Sequence, residues 1–340
     1  MATTRMSLAD IEDLARRALI DAGTSQANAG PLAIATAATE ADGVASHGLA
    51  YIPIYCEHVR CGKVDGNAQP ELGQPRPSMI TANAKTGFAH TAIDLGFERL
   101  IPLAKEQGIA ALAIKNSYNC GVLGYHTYRL AQAGLMGIGF TNAPASIAPS
   151  GGSKPVVGTN PISIAAPGSD GEPVILIDQS ASTIARSEVM KHAREGKPIP
   201  DHWALDAAGK PTTDPNAVLD GGSMAPSGGH KGVSLALMVE MLAAAASGAT
   251  LGIHASPFSG TKGGPPKTGQ FFIAIDVTAS SGGEFANRMN DLAAAIRDQA
   301  GARLPGDGRA AKRRYAQTHG VDVSTATLDK IASSMKARHD

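Results

Sequence analysis

The chain has 340 residues, enough for a large core and about two domains. Its 30 Lys and Arg balance 30 Asp and Glu, so it offers a polyanion no broad footprint and nucleic-acid binding is not expected. The three cysteines, Cys56, Cys61 and Cys120, lack zinc spacing, which supports neither a disulfide scaffold nor a metal site.

The N-terminal "MATTRMSLADIEDLARRAL" reads as an amphipathic helix without an apolar signal core. No apolar run reaches the ~20 residues of a membrane span. The reading is a reduced, cytoplasmic protein that does not enter the membrane. Ser7 and Asp10 predict a capping box, and Leu8, Ile11, Leu14, Ala15, Ala18 and Leu19 then recur at helical spacing until Gly23. A second, Ala-rich helix is predicted from about Ser25 to Asp42. "ADGVASHGLAYIPIY" follows it. The Ser46–His47–Gly48 triplet there is either a reactive pair on a tight turn or an ordinary helix end, where His and Gly are favoured. Tyr51 to Val59 predicts a third short helix. "GKVDGNAQPELGQPRPS" reads as a loop and a boundary.

Beyond it the pattern changes. "MITANA" and "GFAHTAIDLG" read as strand or turn, "LGFERLIPLAKEQG" as helix and "IAALAIKNS" as a buried strand. "YHTYRLAQAG" is helical. "LMGIGFTNA", "NPISIAAP" and "PVILIDQSAS" are apolar strands, and "HKGVSLALMVEMLAAAASGA" predicts a long buried helix. "HASPFSGTKGGPPKTG" is turn-rich and suits a lid. "GQFFIAIDV" is a last strand and "GEFANRMNDLAAAIRDQ" an amphipathic helix. The middle is α/β in content, without the regular alternation that a doubly wound sheet requires.

No G-x-G-x-x-G follows a strand, and no Walker, zincin or nucleophile-elbow motif is present. Six stretches still carry chemistry. "SHG" can supply an acid–base imidazole. "NSYNCGVLG", at Asn116–Gly124, joins a strand to a helix and can hold phosphate on its backbone N–H groups, or be a plain turn. "GTNP" offers Thr159 to a ligand or to its own backbone. "DQSASTIARSE" is acidic and hydroxyl-rich, equally a solvated loop. "SGGHKG" opens the most apolar helix with glycines and Lys231, against the helix dipole. "RLPGDGR", at Arg303–Arg309, is a similar basic turn or a surface loop.

Taken together, "SHG", "GLMGIGFTNAPASIAPSGGSKPVVGTNPISIAAP", "EGKPIPDHWALDAAGKPTTDP", "GGHKGVSLALMVEMLA" and "RLPGD" resemble the type-2 malate/L-lactate dehydrogenase family over nearly the whole chain. That family also holds ureidoglycolate and sulfolactate dehydrogenases, diketogulonate reductase and the Δ1-piperideine-2-carboxylate and Δ1-pyrroline-2-carboxylate reductases. The resemblance implies an α/β, non-Rossmann nicotinamide-binding fold, with a large mixed or antiparallel sheet, flanking helices and a homodimeric assembly. It implies an N-terminal helical part (1–75) carrying Ser46 and His47. A central nucleotide-binding α/β domain (76–285) follows, then a C-terminal helical part (286–340) packing with the N-terminal part.

By position, Ser46 and His47 match the family's active-site pair, and Glu188 falls where the imine reductases carry a catalytic carboxylate. Tyr51 and Thr159 fall at substrate contacts. Asn119, Cys120, Gly121, Val122, Leu123, Asp178, Gln179, Ser180, His230, Lys231, Arg303, Leu304, Pro305, Gly306 and Asp307 match contacts of NAD or NADP. Two departures stand out. Asn119 replaces a frequent His, which leaves the proton role to His47. Tyr51 replaces a frequent Arg that can grip a substrate carboxylate, leaving Arg186, Lys231 and Arg60 as alternative cations. The implied activity is hydride transfer at C2 of a small 2-hydroxy or 2-oxo acid of malate, lactate or sulfolactate type. The alternatives are a cyclic-imine reductase and a nucleotide-binding relic without catalysis.

Overall fold

The computed structural model describes residues 2–336. Strand β1 (Thr3–Met6) leads into α1 (Leu8–Asp21) and α2 (Gln26–Ala41). The capping box forms: Asp10 N donates to Ser7 Oγ at 3.1 Å and Ser7 N to Asp10 Oδ2 at 3.3 Å. Two single 3₁₀ turns, Ala45–His47 and Leu49–Tyr51, connect α2 to α3 (Ile52–Arg60). These helices share one core that includes Ile11, Leu19, Leu32, Ile52 and Tyr55.

Two stretches differ from expectation. The supposed boundary loop contains β2 (Glu71–Arg76), paired antiparallel with β3 (Met79–Asn83). Its Pro75 and polar side chains disguise it, and they are tolerated because β2 is an edge strand. "GFAHTAIDLG" belongs to helix α4 (Ala89–Gln107). Ala89, Ala92, Ile93, Phe97 and Leu100 are buried at helical spacing, and Gly96 lies where a side chain would strike Leu112.

The chain continues through β4 (Ile109–Ser117), α5 (Leu123–Gln132), β5 (Met136–Thr141), β6 (Ile162–Pro167) and β7 (Pro173–Gln179). Next come α6 (Arg186–Glu195), β8 (Ala204–Leu205), α7 (Pro215–Leu219), β9 (Ser223–Met224) and α8 (His230–Val239). A π-helical segment, Glu240–Ala246, prolongs α8. The last elements are β10 (Thr268–Ile275), α9 (Val277–Ser281), α10 (Phe285–Arg297), α11 (Asp307–His319), β11 (Val321–Ser324) and α12 (Thr325–Lys336).

Seven strands form a mixed sheet ordered β2-β3-β4-β10-β5-β6-β7. Every neighbouring pair is antiparallel except β3–β4. The two-residue period sends Leu112, Ile114 and Phe272 to one face, against α4 and α5. Ala113 and Phe271 go to the other, against Val239 and Ala243. The α8 segment is therefore not buried all round: Leu237, Met238 and Met241 are 46%, 45% and 61% exposed. β1 pairs with β11, and α12 packs on α1 and α3, so the two chain ends meet; α10 lies instead against β7.

Candidate active site

Ser46 and His47 stand on the 3₁₀ turn that leaves α2. Ser46 Oγ lies 3.1 Å from His47 Nδ1, which leaves Nε2 as the free ring nitrogen. A buried carboxylate supports the turn from beneath: Glu40, 5% exposed, accepts the Leu49 N–H at 2.7 Å. Gly48 makes this possible, because a side chain there would overlap that carboxylate. Burial holds His47 below the ordinary histidine value, Asp178 pulls it up and Arg309 pushes it down. His47 is thus neutral at pH 7, able to accept a proton and to return it.

An aromatic ladder runs from His47 to the β4–α5 junction. The His47 and Tyr51 rings stack at 6.2 Å, Tyr51 meets Tyr55 at 4.7 Å, and the Tyr55 hydroxyl donates to Asn119 Oδ1 at 2.8 Å. Burial pushes the Tyr51 hydroxyl up to about 12, opposed by Asn119, so it stays a neutral phenol. Asn119 Oδ1 also accepts the Gly121 N–H at 3.2 Å, whereas its buried Nδ2 has no partner among the described residues. Cys120 is buried, its thiol pushed up to about 12, and its carbonyl accepts from His126 Nε2 at 2.9 Å. Val122 and Leu123 open α5 without a side-chain cap, which leaves the dipole end and its N–H groups facing the junction.

Asp178, at the end of β7, reaches the same place. A β-carbon at Gly124 would lie 2.8 Å from Asp178 Oδ2 and 2.9 Å from Arg309 Nη1. Beyond β7, Ala181 N donates to the Thr159 carbonyl and Ser227 N to the Ala181 carbonyl, both at 2.8 Å. Gln179 and Ser180 therefore lie beside the Thr159 turn and the "SGGHKG" glycines. Gly228 and Gly229 adopt φ of +63° and +64°, and His230 and Lys231 stand exposed at the uncapped start of α8. Arg303, Leu304, Pro305, Gly306 and Asp307 lead into α11. The Pro305 carbonyl accepts the Leu176 N–H at 3.1 Å, and Asp307 accepts from Arg297 at 2.9 Å.

Glu188 stands on the first turn of α6. Its nearest charged partner is Lys191 at 3.7 Å, and the carboxylate that acts on His47 is that of Asp178. The three alternative cations separate. Arg60 is held by Asp21 and the Ser334 carbonyl, and Lys231 is solvated. Arg186 is half-buried and has no acidic partner among the described residues; burial works against its charge. Reading the residues one by one missed Tyr55 and Glu40, and caught Arg309 only as the end of a basic turn. Tyr55 was traceable, since it stands one helical turn after Tyr51. The other two act across chain separations that no local pattern reveals.

The residues fit a dinucleotide. Glycine-lined backbone at Gly121 and Gly124, two uncapped helix starts and the orphaned Asn119 Nδ2 are features that phosphate oxygens and an amide can satisfy. Among the described residues no cluster of His, Cys, Asp and Glu could hold a metal ion, and no helix is long and apolar enough to cross a membrane.

Residues 6–332 match the model of the malate/L-lactate dehydrogenase family. The chain is 41% identical over 333 residues to a (2R)-3-sulfolactate dehydrogenase (NADP(+)) of Chromohalobacter salexigens, covering 98% of each. It is 38% identical over 330 residues to a Δ1-pyrroline-2-carboxylate reductase of Ancylobacter novellus, covering 96% of each. The crystal structure of Δ1-piperideine-2-carboxylate reductase from Pseudomonas syringae pvar. tomato superposes with a TM-score of 0.92 at 36% identity, over 98% of this chain and 100% of that one. Matched along almost its full length in sequence and in fold, the chain belongs to the malate/L-lactate dehydrogenase family.

Proposed function

We propose that this protein is an NAD(P)-dependent oxidoreductase acting at C2 of a small 2-hydroxy or 2-oxo acid of malate, lactate or sulfolactate type. The observation that carries the reading is the Ser46–His47 pair joined through Tyr51 and Tyr55 to the Asn119–Leu123 junction. When bound, the nicotinamide supplies or takes the hydride. His47 gives the matching proton to the substrate oxygen on reduction and removes it on oxidation. Ser46 orients the ring through Nδ1. Asn119 to Leu123, Asp178 to Ser180, His230, Lys231 and Arg303 to Asp307 hold the cofactor, and Thr159 with Tyr51 contacts the substrate. Arg186 grips the substrate carboxylate in place of the absent guanidinium at position 51. Its charge is half-buried and otherwise unanswered, and a carboxylate repairs that deficit.

The cyclic-imine reductase reading is the second. The carboxylate Glu188 on the first turn of α6 favours it. Turnover of pyruvate, oxaloacetate, sulfopyruvate and Δ1-piperideine-2-carboxylate with NADH and NADPH separates the two. Cofactor binding seen by fluorescence with no turnover of any of the four would replace both by a non-catalytic nucleotide binder.

The reading includes a cytoplasmic homodimer. The exposed Leu237, Met238 and Met241, on α8 and the π-helical segment that prolongs it, support it, since such patches mark contacts between proteins. Sedimentation of the wild type and of Met241→Asp tests it: a monomeric wild type would reject the dimer.

A further inference from the structure

Asp178 and Arg309 are 131 residues apart in sequence, yet Arg309 Nη1 donates to Asp178 Oδ2 at 2.7 Å. Their side chains are 11% and 26% exposed, so solvent screens the pair only in part. Gly124 leaves the space in which they meet. The helix that carries Arg309 is also fastened to the base of the His47 turn. Arg313, one helical turn on, donates from Nε and Nη2 to Asp42 at 2.8 and 3.0 Å, and Lys312 lies over Gly43. α11 thus grips the end of α2, a few residues before His47, and the end of β7 together.

We propose that the Asp178–Arg309 ion pair, held on the helix that clamps the base of the His47 turn, sets the field at His47: Arg309 fixes the Asp178 carboxylate and cancels its charge, so that the imidazole works beside a neutral pair. The proposal rests on the reading of His47 as the acid–base group. Ser46 lies at Nδ1 of that ring and Tyr51 is stacked beside it, while Asp178 from β7 and Arg309 from α11, which is anchored at Asp42 five residues before His47, act on it through their charges. Glu40 lies under the turn, occupied by Leu49 N–H. Tyr51 is neutral at working pH, so the two charges that act on the ring are those of the pair, with opposite sign. Left alone, Asp178 would hold a proton on His47 and weaken it as a base. Left alone, Arg309 would make it too poor an acceptor.

The test follows the His47 ring by NMR in the full-length, histidine-labelled protein, assigned with His47→Gln. Removing one charge partly screened from the ring moves such a titration by about half a unit to one unit. Arg309→Gln should move it up, Asp178→Asn should move it down, and Arg309→Lys should leave it near wild type. The low-pH limb of kcat/KM for alcohol oxidation should move in the same directions. Shifts of the same sign in Arg309→Gln and Asp178→Asn, or no shift in either, would overturn the proposal. So would Arg309→Gln raising only the cofactor KM with the titration unchanged, which would make it a cofactor contact alone. If His47→Gln keeps the limb, the acid–base reading falls, while the ring titration still decides the role of the pair. A thermal melt of each variant identifies any that has lost its fold, and Arg309→Lys then carries the comparison.

Discussion

Replacing Gly48 with alanine tests whether the catalytic turn is held from beneath by Glu40. A β-carbon at Gly48 would lie 2.6 Å from Glu40 Cδ and 2.9 Å from Cγ. The carboxylate cannot simply step aside, because it is 5% exposed and bound to Leu49 N at 2.7 Å. Either the turn shifts to admit the methyl, or Glu40 swings away and leaves a buried N–H unpaired. Overpacking costs about 1–3 kcal/mol and an orphaned buried donor about the same, so by either route Gly48→Ala should destabilise by about 1–3 kcal/mol. His47 adjoins the displaced residue, so kcat should fall as well, while cofactor affinity at α5 is kept. Urea unfolding with an unchanged m-value, together with kcat and cofactor titration, measures both effects. Shortening Glu40 to alanine removes the obstacle, so Gly48→Ala should add little on that background, a coupling of about 1–3 kcal/mol. Additive energies across the cycle, or a Gly48→Ala protein with wild-type stability and turnover, would refute the argument.

His47→Ala should retain cofactor binding and lose most turnover, since positioned proton transfer is commonly worth ~10²–10⁴-fold; normal kcat would remove His47 from the chemistry. His90 is fully buried and burial pushes it down to about 3 from 6.5. It stays neutral when folded, while the unfolded chain binds a proton below about 6.5. Stability is therefore lost as pH falls, by about 2 kcal/mol from this residue between pH 6.5 and 5. Comparing urea midpoints at pH 7 and 5 in the wild type and His90→Leu checks it, because the variant should have the shallower dependence. Lys63 is buried and donates to the carbonyls of Pro257 and Ser259 at 2.7 and 3.4 Å, tying the turn-rich 254–267 segment to the N-terminal helices. Lys63→Met should speed proteolysis within that segment; unchanged cleavage there would mean other contacts hold it. Gly124→Ala should lower both cofactor affinity and melting temperature, because in the first turn of α5 the added methyl would lie 2.8 Å from Asp178 Oδ2 and 2.9 Å from Arg309 Nη1; wild-type values of both would mean the pair yields without cost.

Local chemistry made much of this molecule legible from sequence. The capping box at Ser7, the helix ending at Asp42, the strand Ile109–Ser117 and the glycine-bearing junction after it all follow from short-range sterics and hydrogen bonding, which act within a few residues. The ordered set of motifs pointed to the family and so to the site as a whole. What local pattern misread was set by surroundings. β2 is a strand because β3 offers it an edge, and α4 keeps its glycine because Leu112 needs the space. The surroundings of His47 belong to tertiary structure alone. Its stacking on Tyr51 lies within one short segment. The charges that act on it arrive from β7 and α11, far apart in the chain, and only folding brings an aspartate and an arginine close enough for their fields to reach one ring before water screens them.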